Sequence, residues 1–225
     1  MEKILFINAC IREESRTLRL ARHLLKRLDG EIEELNLAAE KIPAIDNWDI
    51  LQQRFLHVQS NSLDAPELKY ARQFATADTI VIAAPYWDLA FPAILKTYME
   101  YVTVTGLTFK YSPEGYPVGL CKAHRLIYVM TAGGPVHFNF GYDYLSALCH
   151  NFFGIKETQL FKAENLDIIG SDVEKIIQSA LEEIDKRLMV SPSLISSPPT
   201  QIRHYNSKNL NPTSTTCNQV SSLGV

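Results

Sequence analysis

Apolar residues recur along the first 188 positions with two alternating periods. Lys3–Asn8 (KILFIN) is a short, almost wholly apolar run rich in β-formers, the pattern of a strand covered on both faces. Leu18, Ala21, Leu25 and Leu28 then recur at helical spacing, and Asp29-Gly30 ends that helix. Residues 31–37 alternate loosely, as an edge strand does. Pro43 and Asn47 punctuate residues 38–63, which read mainly as loop with a helix from Trp48. Residues 66–75 read as helix and residues 79–84 (TIVIAA) as the central strand. Residues 92–104 place Leu95, Tyr98, Met99 and Val102 on one helical face. A strand at 124–131, a helix at 142–153 and a last strand at 158–163 follow. Ser171 and Glu174 have capping-box spacing. Behind them Val173, Ile176, Ile177, Ala180, Leu181, Ile184 and Leu188 draw an apolar stripe over the final helix.

This order is a strand followed by a helix, five times over. Five buried parallel strands joined by right-handed crossovers form a doubly wound α/β sheet. The pattern stops at Leu188. From Met189 to Val225 the chain has no Asp or Glu and is dominated by Ser, Thr, Pro and Asn. The expectation is one domain over 1–188 and a disordered extension over 189–225.

Composition narrows the function classes. Hydrophobic residues make up 46% and charged residues 21%, as in globular proteins. The net charge of −3 gives no electrostatic footprint for nucleic acid or an acidic membrane. No apolar run is long enough to span a bilayer, and MEKILFINAC lacks a secretory core and cleavage site. Cys10, Cys121, Cys149 and Cys217 are scattered, with no zinc-ligand spacing. The expectation is a cytoplasmic, reduced and metal-free protein.

In open sheets of this kind ligands bind at the carboxyl ends of the strands, beside the switch point. Three segments lie there. The first, residues 8–17 (NACIREESRT), offers Ser15 and Thr17 hydroxyls, helix-start amides, and Arg12 and Arg16 to a phosphate. The plain alternative is that Ser15 is an N-cap and the arginines are solvated. Neither a dinucleotide fingerprint nor a P-loop is present. Cys10 followed by Arg16-Thr17 also resembles the nucleophile loop of low-molecular-weight tyrosine phosphatases, which implies Cys10 as nucleophile. Glu13 and Glu14 are out of place in a loop that wraps a dianion. The second segment, residues 84–92 (APYWDLAFP), suits a flat aromatic ligand through Tyr86, Trp87 and Phe91, or else caps the core. The third, residues 131–135 (TAGGP), lets the backbone approach a ligand at Gly133 and Gly134, or is an ordinary turn.

A phosphate at the first loop and a planar ring between the other two outline flavin mononucleotide (FMN). Three stretches, ILFINACIREESRT, IVIAAPYWDLAFPAILKTYMEYVTVTGLTFKY and VMTAGGPVH, resemble the FMN-dependent NADH azoreductases and NAD(P)H:quinone oxidoreductases. The resemblance spans about residues 3–188. It implies a flavodoxin-like three-layer α/β/α fold with strand order 2-1-3-4-5. It implies FMN, with NADH or NADPH as co-substrate, and a ping-pong transfer of two electrons to a quinone or azo compound. It gives the FMN phosphate to Ser15, Arg16 and Thr17, beside Arg12. Pro85, Tyr86, Trp87, Asp88 and Leu89 would line the isoalloxazine, with Thr131, Ala132, Gly133 and Gly134 along its pyrimidine edge. His137 is a candidate proton donor to the acceptor, or a solvated loop histidine. The chain departs from the family at Ala9-Cys10, where relatives carry a serine, and at Asp88, where they carry an asparagine. The resemblance also implies a homodimer, with residues 106–111 (GLTFKY) approaching the partner's flavin. An FMN electron carrier without NADH activity is the alternative within the fold.

Overall fold

A computed structural model describes residues 1–189. The five strands expected in one parallel sheet are β1 (Lys3–Asn8), β2 (Glu31–Asn36), β3 (Thr79–Ala83), β6 (Arg125–Thr131) and β7 (Glu157–Ala163). Their order is β2-β1-β3-β6-β7, all pairs parallel, with the switch point between β1 and β3. Counting only these strands, that is the expected 2-1-3-4-5.

The period of two explains how nearly all-apolar strands serve two layers. Leu5 and Ile7, Ile80 and Ile82, and Leu126, Tyr128 and Met130 point to one side. There they meet α2 (Leu37–Glu40), α4 (Lys69–Thr76), α5 (Ala93–Val102) and α6 (Phe140–Leu148). Ile4 and Phe6, Val81 and Ala83, and Ile127 and Val129 point to the other side, toward α1 (Arg16–Leu25) and α7 (Val173–Met189). β2 is the charged edge, with only Leu35 of its six residues buried.

Several boundaries move for local reasons. Residues 38–63 are more helical than the punctuation suggests. α2 is one turn, and Asn47 caps α3 (Trp48–Gln59) by accepting the Ile50 N–H at 3.2 Å. Residues 66–75 split into a 3-10 turn, Pro66–Leu68, and α4. α6 starts two residues early because Asn139 accepts the Tyr142 N–H at 2.9 Å. It ends in a π-turn, Cys149–Phe153, closed by Gly154 at φ 77°. The Ser171–Glu174 capping box does not form. Asp172 caps α7 by accepting the Lys175 N–H at 3.1 Å, and Glu174 binds Arg19 at 2.9 and 3.0 Å instead. An antiparallel hairpin, β4 (Phe109–Tyr111) with β5 (Pro117–Gly119), is an element the periodicity did not reveal. The extension expected over 189–225 lies outside the described residues, except for Met189, which closes α7.

Candidate functional site

The carboxyl ends of β1, β3 and β6 are cross-tied. Ala9 N–H donates to Ala83 O at 2.8 Å, Ala84 N–H to Val129 O at 3.1 Å, and Tyr86 N–H to Thr131 O at 3.0 Å. All three loops singled out in the sequence therefore leave the sheet at one edge.

In the first loop Arg12, Glu13 and Glu14 are exposed, and Ser15 caps α1 by accepting the Leu18 N–H at 3.2 Å. The plain reading of Ser15 is thus realised, although an N-cap oxygen keeps its own proton free to donate. Arg16 is not simply solvated. Its Nη1 donates to Asp167 Oδ1 at 2.8 Å and to Leu166 O at 3.4 Å. Thr17 is buried, and its hydroxyl lies 2.6 Å from that of Thr131, joining the first loop to the third. Cys10 is buried with its thiol directed at Ala83 O, 3.7 Å away. Burial pushes that thiol up, against a smaller lowering from Ser15. A phosphatase nucleophile needs the opposite shift.

In the second loop Trp87 and Ala90 pair across a two-residue turn, Ala90 N–H donating to Trp87 O at 2.8 Å. Asp88 and Leu89, at φ 49° and 67°, hold the left-handed conformation that such a turn demands of both central residues. No glycine or asparagine is present to relieve it. Backbone strain of this kind is typical of binding sites. Trp87 and Leu89 are 40% and 48% exposed, with Pro85 behind them in the loop. Tyr86 OH donates to Phe138 O at 2.7 Å.

In the third loop Thr131 and Ala132 are buried, while Gly133 and Gly134 are half-buried. A Cβ on Gly133 would overlap the Asp167 carboxylate, and one on Gly134 would meet open space. Exposed His137 follows on the same loop. Asp167 belongs to a fourth segment, after β7, that sequence reasoning missed. Its N–H donates to Gly133 O at 2.9 Å, and Leu166 N–H donates to Ala132 O at 3.2 Å. Nothing local marks Asp167, because only the fold brings β7 beside β6.

Among the described residues, the backbone N–H groups of Arg16, Thr17, Asp88, Leu89, Gly133 and Gly134 have no hydrogen-bond acceptor. Helix-start amides beside a guanidinium fit a phosphate. The strained turn and the glycine pair offer further donors to a flat heterocycle. This donor set fits FMN, with Thr17 contributing its amide, since its hydroxyl is already paired.

Comparison with known proteins agrees with the geometry. The family described as having a flavodoxin-like fold matches residues 2–188. The chain is 40% identical over 199 residues to an FMN-dependent NADH:quinone oxidoreductase of Coprothermobacter proteolyticus, covering 83% of this chain and 98% of that one. It is 38% identical over 198 residues to FMN-dependent NADH:quinone oxidoreductase 2 of Clostridium acetobutylicum, covering 81% and 96%. Among solved structures it resembles an azoreductase from Bacillus anthracis at TM-score 0.72 and 28% identity, covering 84% and 99%. An FMN-dependent NADH-azoreductase of the same species, solved with FMN, gives TM-score 0.68 at 25% identity, covering 84% and 98%. The chain belongs to the flavodoxin-like fold family that holds the FMN-dependent NADH:quinone oxidoreductases.

Proposed function

We propose that this protein is an FMN-dependent oxidoreductase that passes two electrons from NADH to a quinone or azo compound by a ping-pong mechanism. The observation that carries the reading is the interlocking of the loops at one sheet edge, through Thr17–Thr131, Tyr86–Thr131 and Arg16–Asp167, around backbone amides without acceptors. FMN, when bound, supplies the two-electron redox chemistry, so no protein nucleophile is needed.

The residues have separate tasks. Arg12, Ser15, Arg16 and the Thr17 amide hold the phosphate. Pro85–Leu89 support one face of the ring system, and Thr131–Gly134 run along its edge. Asp88 offers only acceptor oxygens, so donation beside it falls to the backbone. Exposed His137 is the candidate to give a proton to the acceptor.

The reading includes a homodimer. Trp48, Phe55 and Leu56 of α3 are 59%, 54% and 53% exposed. Beside them, a groove of about 490 Å³ runs between α3, α5 and α6. Among the described residues no helix is long and apolar enough to cross a membrane.

The purified protein, reconstituted with FMN, is expected to be yellow, to be bleached by one equivalent of NADH in the absence of acceptor, and to turn NADH over continuously when a quinone or azo dye is present. Parallel double-reciprocal plots establish the ping-pong order. Bound FMN without NADH oxidation makes the protein an electron carrier. A colourless protein that cleaves a phosphate monoester and dies on Cys10→Ser makes it a phosphatase.

A further inference from the structure

Phe138 and Phe140 stand out at the rim of this site. They are 62% and 54% exposed, and their rings are near-parallel, with centroids 5.9 Å apart and planes 14° from one another. They are not loose tips. Asn139 between them caps α6 and also donates from its side chain to Met130 Sδ at 3.0 Å. The Phe138 carbonyl accepts the Tyr86 hydroxyl, and Phe140 N–H donates to Leu89 O at 3.0 Å. Gly141 lets the start of α6 close on the second loop, since a Cβ there would stand 2.9 Å from Phe91 Cδ1. The two rings are therefore fastened to the turn that presents Trp87 and Leu89. Trp87, Leu89, Phe138 and Phe140 thus stand exposed on two segments that are hydrogen-bonded to each other.

We infer that Phe138 and Phe140 are specificity-determining residues, an aromatic platform for a planar, ring-conjugated electron acceptor. The inference rests on the proposed FMN site and adds to it the residues that choose the acceptor. The two rings stack on each other, so what they offer is their exposed outer face, which favours a flat conjugated partner by offset stacking and gives nothing to a compact, hydrated anion. The platform only binds; it moves no proton or electron.

The test uses the FMN-loaded full chain and the double variant Phe138→Ala/Phe140→Ala. The acceptors are 2-methyl-1,4-naphthoquinone, which is planar, and ferricyanide, which is not. The variant is expected to raise KM for the quinone about tenfold more than for ferricyanide, the scale of one or two lost aromatic contacts. A binding readout accompanies it: anthraquinone-2-sulfonate titrated into oxidised, NADH-free protein, followed by tryptophan quenching, is expected to bind about tenfold more weakly. Phe138→Tyr/Phe140→Tyr, which keeps the ring faces, is expected to restore both. Equal losses for the two acceptors, or none, would overturn the platform. So would a change in oligomeric mass, which would make the rings a subunit contact. Failure of the wild type to bind FMN would instead strike the functional reading on which the platform rests.

Discussion

Arg16 and Asp167 meet at 2.8 Å with side chains 42% and 68% exposed, so their pairing contributes little to folding. Its value is positional, because it holds a guanidinium beside the open amides of α1. Arg16→Ala is expected to weaken FMN binding about tenfold, the scale of one charge-assisted hydrogen bond, while turnover at saturating FMN stays close to wild type. If Asp167 acts through Arg16, the double variant Arg16→Ala/Asp167→Ala loses no more affinity than Arg16→Ala alone, a cycle read by FMN fluorescence. Leu89 supplies a second test. At φ 67° its Cβ strains the backbone, and its half-exposed side chain adds little burial. Leu89→Gly is expected to stabilise the fold by about 0.5–1 kcal/mol, seen as a rise in Tm of about 2–3 °C. The same variant is expected to slow turnover, since the turn no longer holds Trp87 and Asp88 rigidly.

At the scale of elements, the β4–β5 hairpin packs against the π-turn that ends α6. A Cβ on Gly119 would overlap the backbone of Phe153 and Gly154. The hairpin and the π-turn are held together there, because the Cys121 N–H is also bonded to Phe153 O at 3.3 Å. Gly119→Ala is expected to cost about 3 kcal/mol and to lower Tm by about 10 °C in a thermal melt. The expectation that residues 106–111 face a partner belongs to this hairpin, whose Lys110 and Tyr111 are exposed and whose Phe109 is buried. A second packing device ties α3 to α5. Arg54, buried, donates to Tyr101 O at 2.6 Å and so satisfies a carbonyl at the C-terminal end of α5. Its charge faces the negative end of that helix, while burial lowers its pKa.

At the scale of the whole molecule, α1 and α7 are joined on the protein's surface by ion pairs. Arg19 meets Glu174 at 2.9 Å, and Arg27 and His23 meet Asp185 at 2.7 Å each. Hydrogen bonds from Arg19 and Arg27 hold the Glu174 and Asp185 carboxyls below their ordinary range, as Lys122 does for Asp78. A depressed carboxyl binds protons more weakly folded than unfolded, so its stabilisation is present above the unfolded value and lost as pH falls through the folded one. The urea midpoint is expected to stay flat from about pH 7 to 5 and to fall below about pH 4, with high salt flattening the fall. The sequence by itself determined the five strands and the three loops, because short apolar runs and a period of 3.6 between them are local properties, whereas the order of the strands followed from the family resemblance. Thr79–Ala83 and Lys3–Asn8 were legible for that reason. The tertiary structure alone decided what Ser15, Thr17 and Arg16 do: one caps a helix, one pairs with a residue 114 positions away, and one binds Asp167. It also decided that Glu174 serves Arg19 rather than its own helix, and that Phe138 and Phe140 stand parallel at the rim. Spacing along a chain reports which face a residue occupies, whereas the partner across a loop is set by which strands the crossovers bring side by side.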